Sequence, residues 1–232
     1  VEHTKDEKKN NIKIIIIGDQ AVGKSSLLMR YCEDKFTLNM MGTAGIDFKK
    51  KIIEYKNTKI NVIFYDSAGH DRFRHIVKQH YKGAKGIILA YDITDKNSFT
   101  NVHDWMTSIK ENADSNAELL LIGNKTDLVS ERVISEEEGK ELSKEFKVEL
   151  FETSAKSGEN TEKGFYSLIV RILENKELNK EINIKEMSPS EDNKETNNGN
   201  KKDDNNKEEN VRLDSKGSTK SKSDKGGCFK CG

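Results

Sequence analysis

Apolar residues in this chain come in short runs separated by stretches of mixed polarity. Ile12–Ile17 is an almost unbroken aliphatic run ending in Gly18-Asp19, the pattern of a strand buried on both faces of a sheet. Similar runs follow at Ile60–Tyr65, Gly86–Tyr91 and Leu119–Ile122, with a shorter one at Val148–Phe151. Between them the apolar spacing becomes helical. Lys24–Tyr31 puts Leu27, Leu28 and Tyr31 on one side, Trp105, Met106 and Ile109 recur in the same way, and Phe165, Leu168, Ile169 and Ile172 mark a last helix. Strands alternating with helices through short connections predict a mainly parallel sheet covered on both faces. Phe48–Tyr55 and Lys59–Tyr65, joined only by Lys56-Asn57-Thr58, predict one hairpin and hence one antiparallel strand.

The pattern stops at Asn175. Beyond it the chain is mostly Lys, Glu, Asn, Asp and Ser, with the only proline at Pro189, too little apolar surface to offset the entropy of ordering. The expected organisation is a flexible segment 1–11, one domain over 12–175 and a disordered tail over 176–232, with a short continuation of the last helix to about Asn183 left open. The 232 residues suit one domain with a tail. Forty basic and forty acidic residues cancel, which gives no electrostatic case for nucleic-acid binding. No apolar stretch approaches the roughly 20 residues of a membrane span. The polar start lacks a secretory core, and three cysteines, two of them at the extreme end, make no disulfide framework. The chain is expected to be kept in the cytosol. Cys32 and Trp105 are expected in the core, with no zinc-type spacing around them, and His3, His75 and His103 at the surface.

Gly18-Asp19-Gln20-Ala21-Val22-Gly23-Lys24-Ser25 satisfies the G-x-x-x-x-G-K-[ST] pattern between a buried strand and a helix. Its glycines let the backbone curl so that successive N–H groups face an anion, and the helix N-terminus adds its dipole. Lys24 is placed to reach the outer phosphates and the Ser25 hydroxyl to ligate magnesium, the expected cofactor. This loop implies a nucleotide without choosing the base, so an ATPase or kinase stays open on the loop alone.

Two later motifs choose. Asn124-Lys125-Thr126-Asp127 follows the run Leu119–Ile122. An aspartate there accepts from guanine N1–H and its exocyclic amine, a donor pair that adenine lacks and that would leave the carboxylate unsatisfied. Lys125 can lay its stem along the base and Asn124 can brace the phosphate loop. Thr153-Ser154-Ala155-Lys156 follows Val148–Phe151, where a backbone N–H can meet guanine O6. Each motif alone is a common polar turn. Three in order, each after a strand, point to guanine.

These motifs resemble the Ras superfamily across about Ile12 to Ile172, and in finer detail its Rab branch. Thr43-Ala44-Gly45-Ile46-Asp47-Phe48 is similar to the Rab switch I segment, Tyr81-Lys82-Gly83-Ala84 to the segment after switch II, and Asp66-Ser67-Ala68-Gly69-His70-Asp71-Arg72-Phe73 to Asp-Thr-Ala-Gly-Gln-Glu-Arg-Phe. The resemblance implies an α/β fold of the P-loop NTPase type: a six-stranded, mostly parallel sheet with one antiparallel strand, flanked by five helices. It implies a GTP/GDP cycle in which Ser25, Thr43 and Asp66 hold magnesium, Thr43 and the Gly69 N–H meet the γ-phosphate, and Phe36 packs edge-on against the base. The implied nucleotide contacts run through Asp19, Gln20, Ala21, Val22, Gly23, Lys24, Ser25 and Ser26, then Asn124, Lys125, Asp127 and Leu128, then Ser154, Ala155 and Lys156. Hydrolysis would release Thr43 and Gly69, and partners binding only the ordered loops would read the nucleotide.

Several residues depart from the family pattern. His70 stands where the family has the glutamine that orients the attacking water. Its imidazole is shorter, rigid and differently arranged as donor and acceptor, so slow intrinsic hydrolysis is expected from the group Lys24, Thr43, Gly69 and His70, with His70 as general base the sharper alternative. Gln20 and Ala21 are larger than many relatives carry beside the γ-phosphate. Among the effector-reading positions Ile46, Asp47, Phe48, Tyr65 and His80, Tyr65 replaces the usual Trp and His80 the usual Tyr.

The chain ends Gly226-Gly227-Cys228-Phe229-Lys230-Cys231-Gly232. Cys228 and Cys231 after a polar tail resemble the paired lipid acceptors of Rabs. Two lipid chains anchor stably where one does not, and from Val211 six basic residues against Asp214 and Asp224 favour an anionic leaflet. A coil of roughly 50 residues reaches on the order of 40 Å. The spacing is unlike Cys-Cys or Cys-x-Cys, and a C-x-x-C metal or redox pair is the competing reading. Expected partners are an exchange factor, an activating protein, an escort or GDI-type chaperone and effectors, met by a monomer at the cytoplasmic face of an intracellular membrane. A hydrolysis-deficient scaffold resting in the GTP form is the competing function.

Overall fold

The structure, a computed structural model, describes residues 11–38, 40–175 and 177–178. The expectations for residues 1–10, for the tail beyond Leu178 and for Cys228 and Cys231 lie outside the described residues. β1 (Asn11–Ile17) leads into α1 (Lys24–Glu33), then β2 (Ile46–Tyr55), β3 (Thr58–Ser67) and α2 (Arg74–Tyr81). There follow β4 (Gly86–Asp92), α3 (Lys96–Thr100), α4 (Val102–Asn112), β5 (Glu118–Asn124), α5 (Glu136–Phe146), β6 (Glu149–Thr153) and α6 (Thr161–Glu174). α3 and α4 are two segments of one helical body, because the Asn101 N–H donates to the Asn97 carbonyl (2.9 Å) and the Trp105 N–H to that of Asn101 (3.1 Å). Among the described residues, five helical bodies therefore flank the sheet, as expected.

The sheet runs β2-β3-β1-β4-β5-β6, with only β2 antiparallel to its neighbour. β1 explains why its sequence is nearly all isoleucine. Ile12, Ile14 and Ile16 face a core layer formed with α1 and α6, while Ile15 and Ile17 face a second layer formed with α2, α4 and α5. A central parallel strand has no wet face, so alternation disappears. In the first layer Tyr31 of α1 stacks on Phe165 of α6 with ring centroids 4.5 Å apart.

The hairpin turn is tighter than the expected Lys56-Asn57-Thr58. Tyr55 pairs with Thr58, leaving two turn residues, Lys56 (φ 47°) and Asn57 (φ 61°). Positive φ at both central residues matches the strand twist. β2 is an edge strand and carries Lys49, Lys50 and Lys51, charges that blunt an open edge.

Past 175, where a short continuation was left open, the chain still packs on the first core layer at Leu178. α6 stops at Glu174, and the Asn175 side chain then accepts the Glu177 N–H at 3.1 Å and the Leu178 N–H at 3.5 Å. That turn drives Leu178, fully buried, into the first core layer.

Candidate nucleotide site

Every group expected to bind nucleotide stands at the carboxyl edge of the parallel strands, where open α/β sheets place ligands. Strand register does the gathering: Ile16 pairs with Asp66, Asp92 with Asn124, and Asn124 with Thr153. The loop after β1, the segment between α1 and β2, the end of β3 with the segment after it, and the loops after β5 and β6 thus surround one cavity of about 480 Å³, within the size range of small-molecule sites.

The phosphate loop turns through left-handed backbone at Gly18 (φ 134°), Ala21 (φ 64°) and Gly23 (φ 95°). A Cβ on Gly18 would overlap the Ala90 carbonyl oxygen, and one on Gly23 the Asn124 amide nitrogen. Lys24, the first residue of α1, is buried, and its ammonium donates to the carbonyls of Gly18 (2.9 Å) and Asp19 (2.6 Å). Burial pushes its pKa down to about 8 against the opposing pull of Asp66 and Asp19. An ammonium held in that way is poised to gain charge stabilisation from phosphate.

Next to it is a knot of oxygens. The hydroxyls of Ser25 and Thr43 lie 2.9 Å apart, and Thr43 Oγ1 donates to Asp66 Oδ2 at 3.4 Å. Burial raises the Asp66 pKa, opposed by its hydrogen bond with Ser25 and by the Lys24 charge. Asp66 Oδ1 is buried without a protein hydrogen-bond partner. Two hydroxyls and a carboxylate with a spare buried oxygen fit magnesium, a hard cation held by few protein oxygens together with phosphate. Ser25, Thr43 and Asp66 would hold it, and the ion would supply charge neutralisation at the outer phosphates. Among the described residues no group of three or more His, Cys, Asp or Glu side chains converges on a metal site.

The base end is organised by Asn124. Its Nδ2 donates to the Val22 carbonyl (2.8 Å), and its Oδ1 accepts from the Ala155 N–H (3.2 Å) and the Thr153 hydroxyl (3.3 Å). One buried amide thereby fixes the phosphate loop, β6 and the loop after it. Asp127 Oδ1 accepts from the Ser154 hydroxyl at 2.6 Å, and Lys156 Nζ lies 3.7 Å from Oδ2. A carboxylate held this way keeps a fixed direction for paired N–H donors. Lys125 sits at positive φ (74°).

Gln20, Ala21, Gly23, Lys24, Ser25, Ser26, Phe36, Thr43, Gly69, His70, Asn124, Lys125, Asp127, Leu128, Ala155 and Lys156 all line the cavity. Asp19, Val22, Asp66 and Ser154, also expected there, are not among the lining residues, and each is hydrogen-bonded to one that is: Lys24, Asn124, Thr43 and Asp127 respectively. Leu38, Met40 and Met41 line it too, Leu38 and Met41 strongly exposed; as apolar residues in a loop without helical or strand spacing they carried no readable signal. His70 is exposed at the rim, its Nδ1 accepting the Arg72 N–H at 3.4 Å. Gly69 packs so closely on the Asp19–Gln20 peptide that a Cβ would overlap it.

Phe48 and Tyr65 are direct cross-strand partners, and the Tyr65 and His80 rings lie 5.6 Å apart. Phe48 is exposed, Tyr65 is half-buried beneath Lys13 Nζ (5.1 Å to the ring centre), and burial followed by the Lys13 charge lowers the His80 pKa. Ile46 is half-buried and Asp47 exposed beside them.

Two supporting residues escaped the motif reading. Asp92 is buried; its Oδ1 accepts from the Thr94 N–H and hydroxyl (2.9 and 2.8 Å), and its Oδ2 meets Lys125 Nζ at 2.6 Å. That pair sets the direction of the Lys125 stem. Arg30 of α1 donates to the carbonyls of Ala155 and Lys156, both at 2.9 Å, and so holds the loop expected to read the base. An acidic residue at the end of the run Gly86–Tyr91 was a signal for Asp92. Arg30 gave none.

Comparison with known proteins finds relatives over the same stretch of the chain. Residues 13–174 match the model of the Ras family. The Ras-related protein Rab-13 of Rattus norvegicus is 45% identical over 161 residues, covering 69% of this chain and 79% of its own. The Ras-related protein SEC4 of Saccharomyces cerevisiae is 42% identical over 173 residues, covering 75% and 80%. SEC4 of Candida albicans is 43% identical over 171 residues, covering 74% and 81%.

Proposed function

Since this chain belongs to the Rab branch of the Ras family of small GTPases, we propose that it is a magnesium-dependent GTP/GDP switch that hydrolyses GTP slowly and recruits effectors to a membrane of the vesicle-traffic system. The observation that carries this reading is the alignment at one sheet edge of buried Lys24, the Ser25–Thr43–Asp66 oxygens and Asp127. Each faces a different part of one ligand: the outer phosphates, their metal and the guanine edge. Thr43 turned in toward Ser25 and Gly69 packed on the phosphate loop suit the triphosphate form, in which both would contact the γ-phosphate. Loss of that phosphate removes what holds them, and both loops relax.

Slow hydrolysis is argued from His70. Its Nδ1 is occupied by the Arg72 N–H, so the ring offers one free nitrogen where a glutamine amide offers an acceptor and two donors. That same feature favours the second reading, a hydrolysis-deficient scaffold resting in the GTP form. The effector surface is assigned to Ile46, Asp47, Phe48, Tyr65 and His80, and the membrane anchor to lipids on Cys228 and Cys231. Exchange factor, activating protein and escort or GDI-type chaperone complete the cycle.

Three measurements on the full chain test this. Excess ATP should fail to displace bound GTP; displacement would remove Asp127 as the guanine reader. Single-turnover hydrolysis by His70→Gln should be at least several-fold faster than wild type, and equal rates would end the slow-switch reading. A tagged Cys228→Ser/Cys231→Ser chain should leave membranes for the cytosol, and unchanged localisation would remove the lipid anchor.

A further inference from the structure

We propose that Asp19, Asn101, Trp105 and Arg74 form a latch that holds the phosphate loop onto α4 and ties the start of α2 to it. Asn101 and Trp105 are then positioning residues for nucleotide retention, and Arg74 makes retention depend on the outermost phosphate. The inference rests on the switch reading above.

A carboxylate within a loop built for polyphosphate would repel its ligand unless it were turned away and neutralised. Asp19 is both. Trp105 Nε1 donates to its Oδ1 at 2.7 Å, and Asn101 Nδ2 donates to its Oδ2 at 2.6 Å, so each oxygen carries a short charge-assisted bond. The Arg74 guanidinium lies 3.7 Å from Oδ1 and stacks over the Trp105 ring at 4.5 Å from its centre. The group is half-sheltered, with Trp105 almost wholly buried, so solvent screens it less than an open surface pair. Meanwhile the Asp19 carbonyl accepts from Lys24 Nζ, and the Asp19–Gln20 peptide is the surface on which Gly69 packs. One residue therefore joins the phosphate-binding ammonium, α4 and the segment from Gly69 to Arg74.

The two sides of this latch differ in mobility. Asn101 caps, and Trp105 belongs to, a helix packed in the second core layer, which the burial of its apolar face holds in place. Arg74 opens α2, four residues beyond His70, on the segment expected to relax when the γ-phosphate is lost. Its contacts with Asp19 and Trp105 are made with Gly69 docked. Undocking pulls Arg74 away, leaving Asp19 on its two α4 donors alone.

The test is release of fluorescent GDP and of a fluorescent non-hydrolysable GTP analogue from the full chain. Trp105→Phe keeps the ring and removes the donor; Asn101→Ala removes the other. Each should speed release of both nucleotides about ten-fold, the factor that corresponds to about 1.4 kcal/mol. Arg74→Ala should speed release of the analogue by about the same factor while leaving GDP within about two-fold, and Arg74→Lys should restore part of the difference. Trp105 is the only tryptophan in the chain, so its emission reads the latch directly. It should differ between the GDP and analogue forms of the wild type, and Arg74→Ala should erase the difference. Equal effects of Arg74→Ala on both nucleotides, or a fall in melting temperature in Trp105→Phe and Asn101→Ala with both release rates unchanged, would overturn the proposal. A wild type that does not bind GDP would end the switch reading as well, whereas normal binding with uniform release across all variants ends the latch alone.

Discussion

Removing the Asn124 side chain is the sharpest perturbation of the site that leaves no nucleotide-facing charge altered. Asn124→Ala deletes the bond to the Val22 carbonyl (2.8 Å) and the two longer ones from the Ala155 N–H (3.2 Å) and the Thr153 hydroxyl (3.3 Å). A buried group left unsatisfied costs roughly 1–3 kcal/mol. The two longer bonds sit at or beyond the usual limit of hydrogen-bond length, so a total of about 3 kcal/mol is reasonable for the closed site, most of it from Val22 and Ala155. With nucleotide absent, the loops at the sheet edge can open and hydrate both groups, which lowers the cost to about 1 kcal/mol. The difference of about 2 kcal/mol is paid on binding and amounts to roughly 30-fold in affinity. Stopped-flow release of labelled GDP should show that factor, and urea unfolding with and without saturating GDP should show the split in stability. Asn124→Asp locates the effect. It keeps acceptors for Ala155 and Thr153 but sets a carboxylate against the Val22 carbonyl, so it should be at least as damaging as alanine. A GDP release rate within about three-fold of wild type in Asn124→Ala would refute the brace, and wild-type behaviour in Asn124→Asp would move its weight from Val22 to Ala155.

Lys24 is held near pKa 8 against an ordinary 10.5, so between those values the unfolded chain keeps a proton that the folded, nucleotide-free chain has lost. Stability of the nucleotide-free form should therefore rise with pH through that window, while GDP affinity falls because phosphate favours the ammonium. Calorimetric titration should find the fall starting near pH 8 in wild type and missing in Lys24→Arg, whose guanidinium stays charged. A Cβ on Gly69 would overlap backbone atoms of Asp19 and Gln20, which cannot yield, so Gly69→Ala should bind GDP normally and lose at least ten-fold in affinity for a GTP analogue; equal affinities would show that Gly69 does not dock on the loop. Leu178→Ala should destabilise the fold by about 2–4 kcal/mol, as expected of a filled core position, read as a shift in urea midpoint, and a neutral result would return the domain boundary to 175.

What could be read from the sequence was what neighbouring residues do for one another. The loop from Gly18 to Ser25 makes its own cradle from consecutive residues, and β1 announces its central place because both of its faces are apolar. The two base motifs were legible for the same reason: each is a short turn fixed to the end of a strand, and a parallel sheet brings strand ends together. The edges of elements were less legible. The hairpin turn lost a residue because Lys56 and Asn57 both adopt positive φ, a backbone state that no pattern of polarity records. α5, counted among the five expected helices, was not located by apolar spacing although Ser135 and Glu138 form a capping box, since its face is short and carries mostly glutamates and lysines.

The supports of the site were invisible for a different reason. Arg30 meets Ala155 across 125 residues of sequence and Trp105 meets Asp19 across 86, and each of these side chains has an ordinary reason to be where it is. Trp105 was assigned to the core, and it is there, yet its one polar atom is spent on the phosphate loop. Asp19 was assigned to the nucleotide, and its carbonyl does hold Lys24, yet its carboxylate points to α4. A motif states which atoms face a ligand and leaves open what anchors them from behind. The bonds from Asn101, Trp105 and Arg30 hold those atoms from behind. If retention of nucleotide depends on them, two chains with identical binding motifs can differ in exchange rate through residues that never approach the ligand.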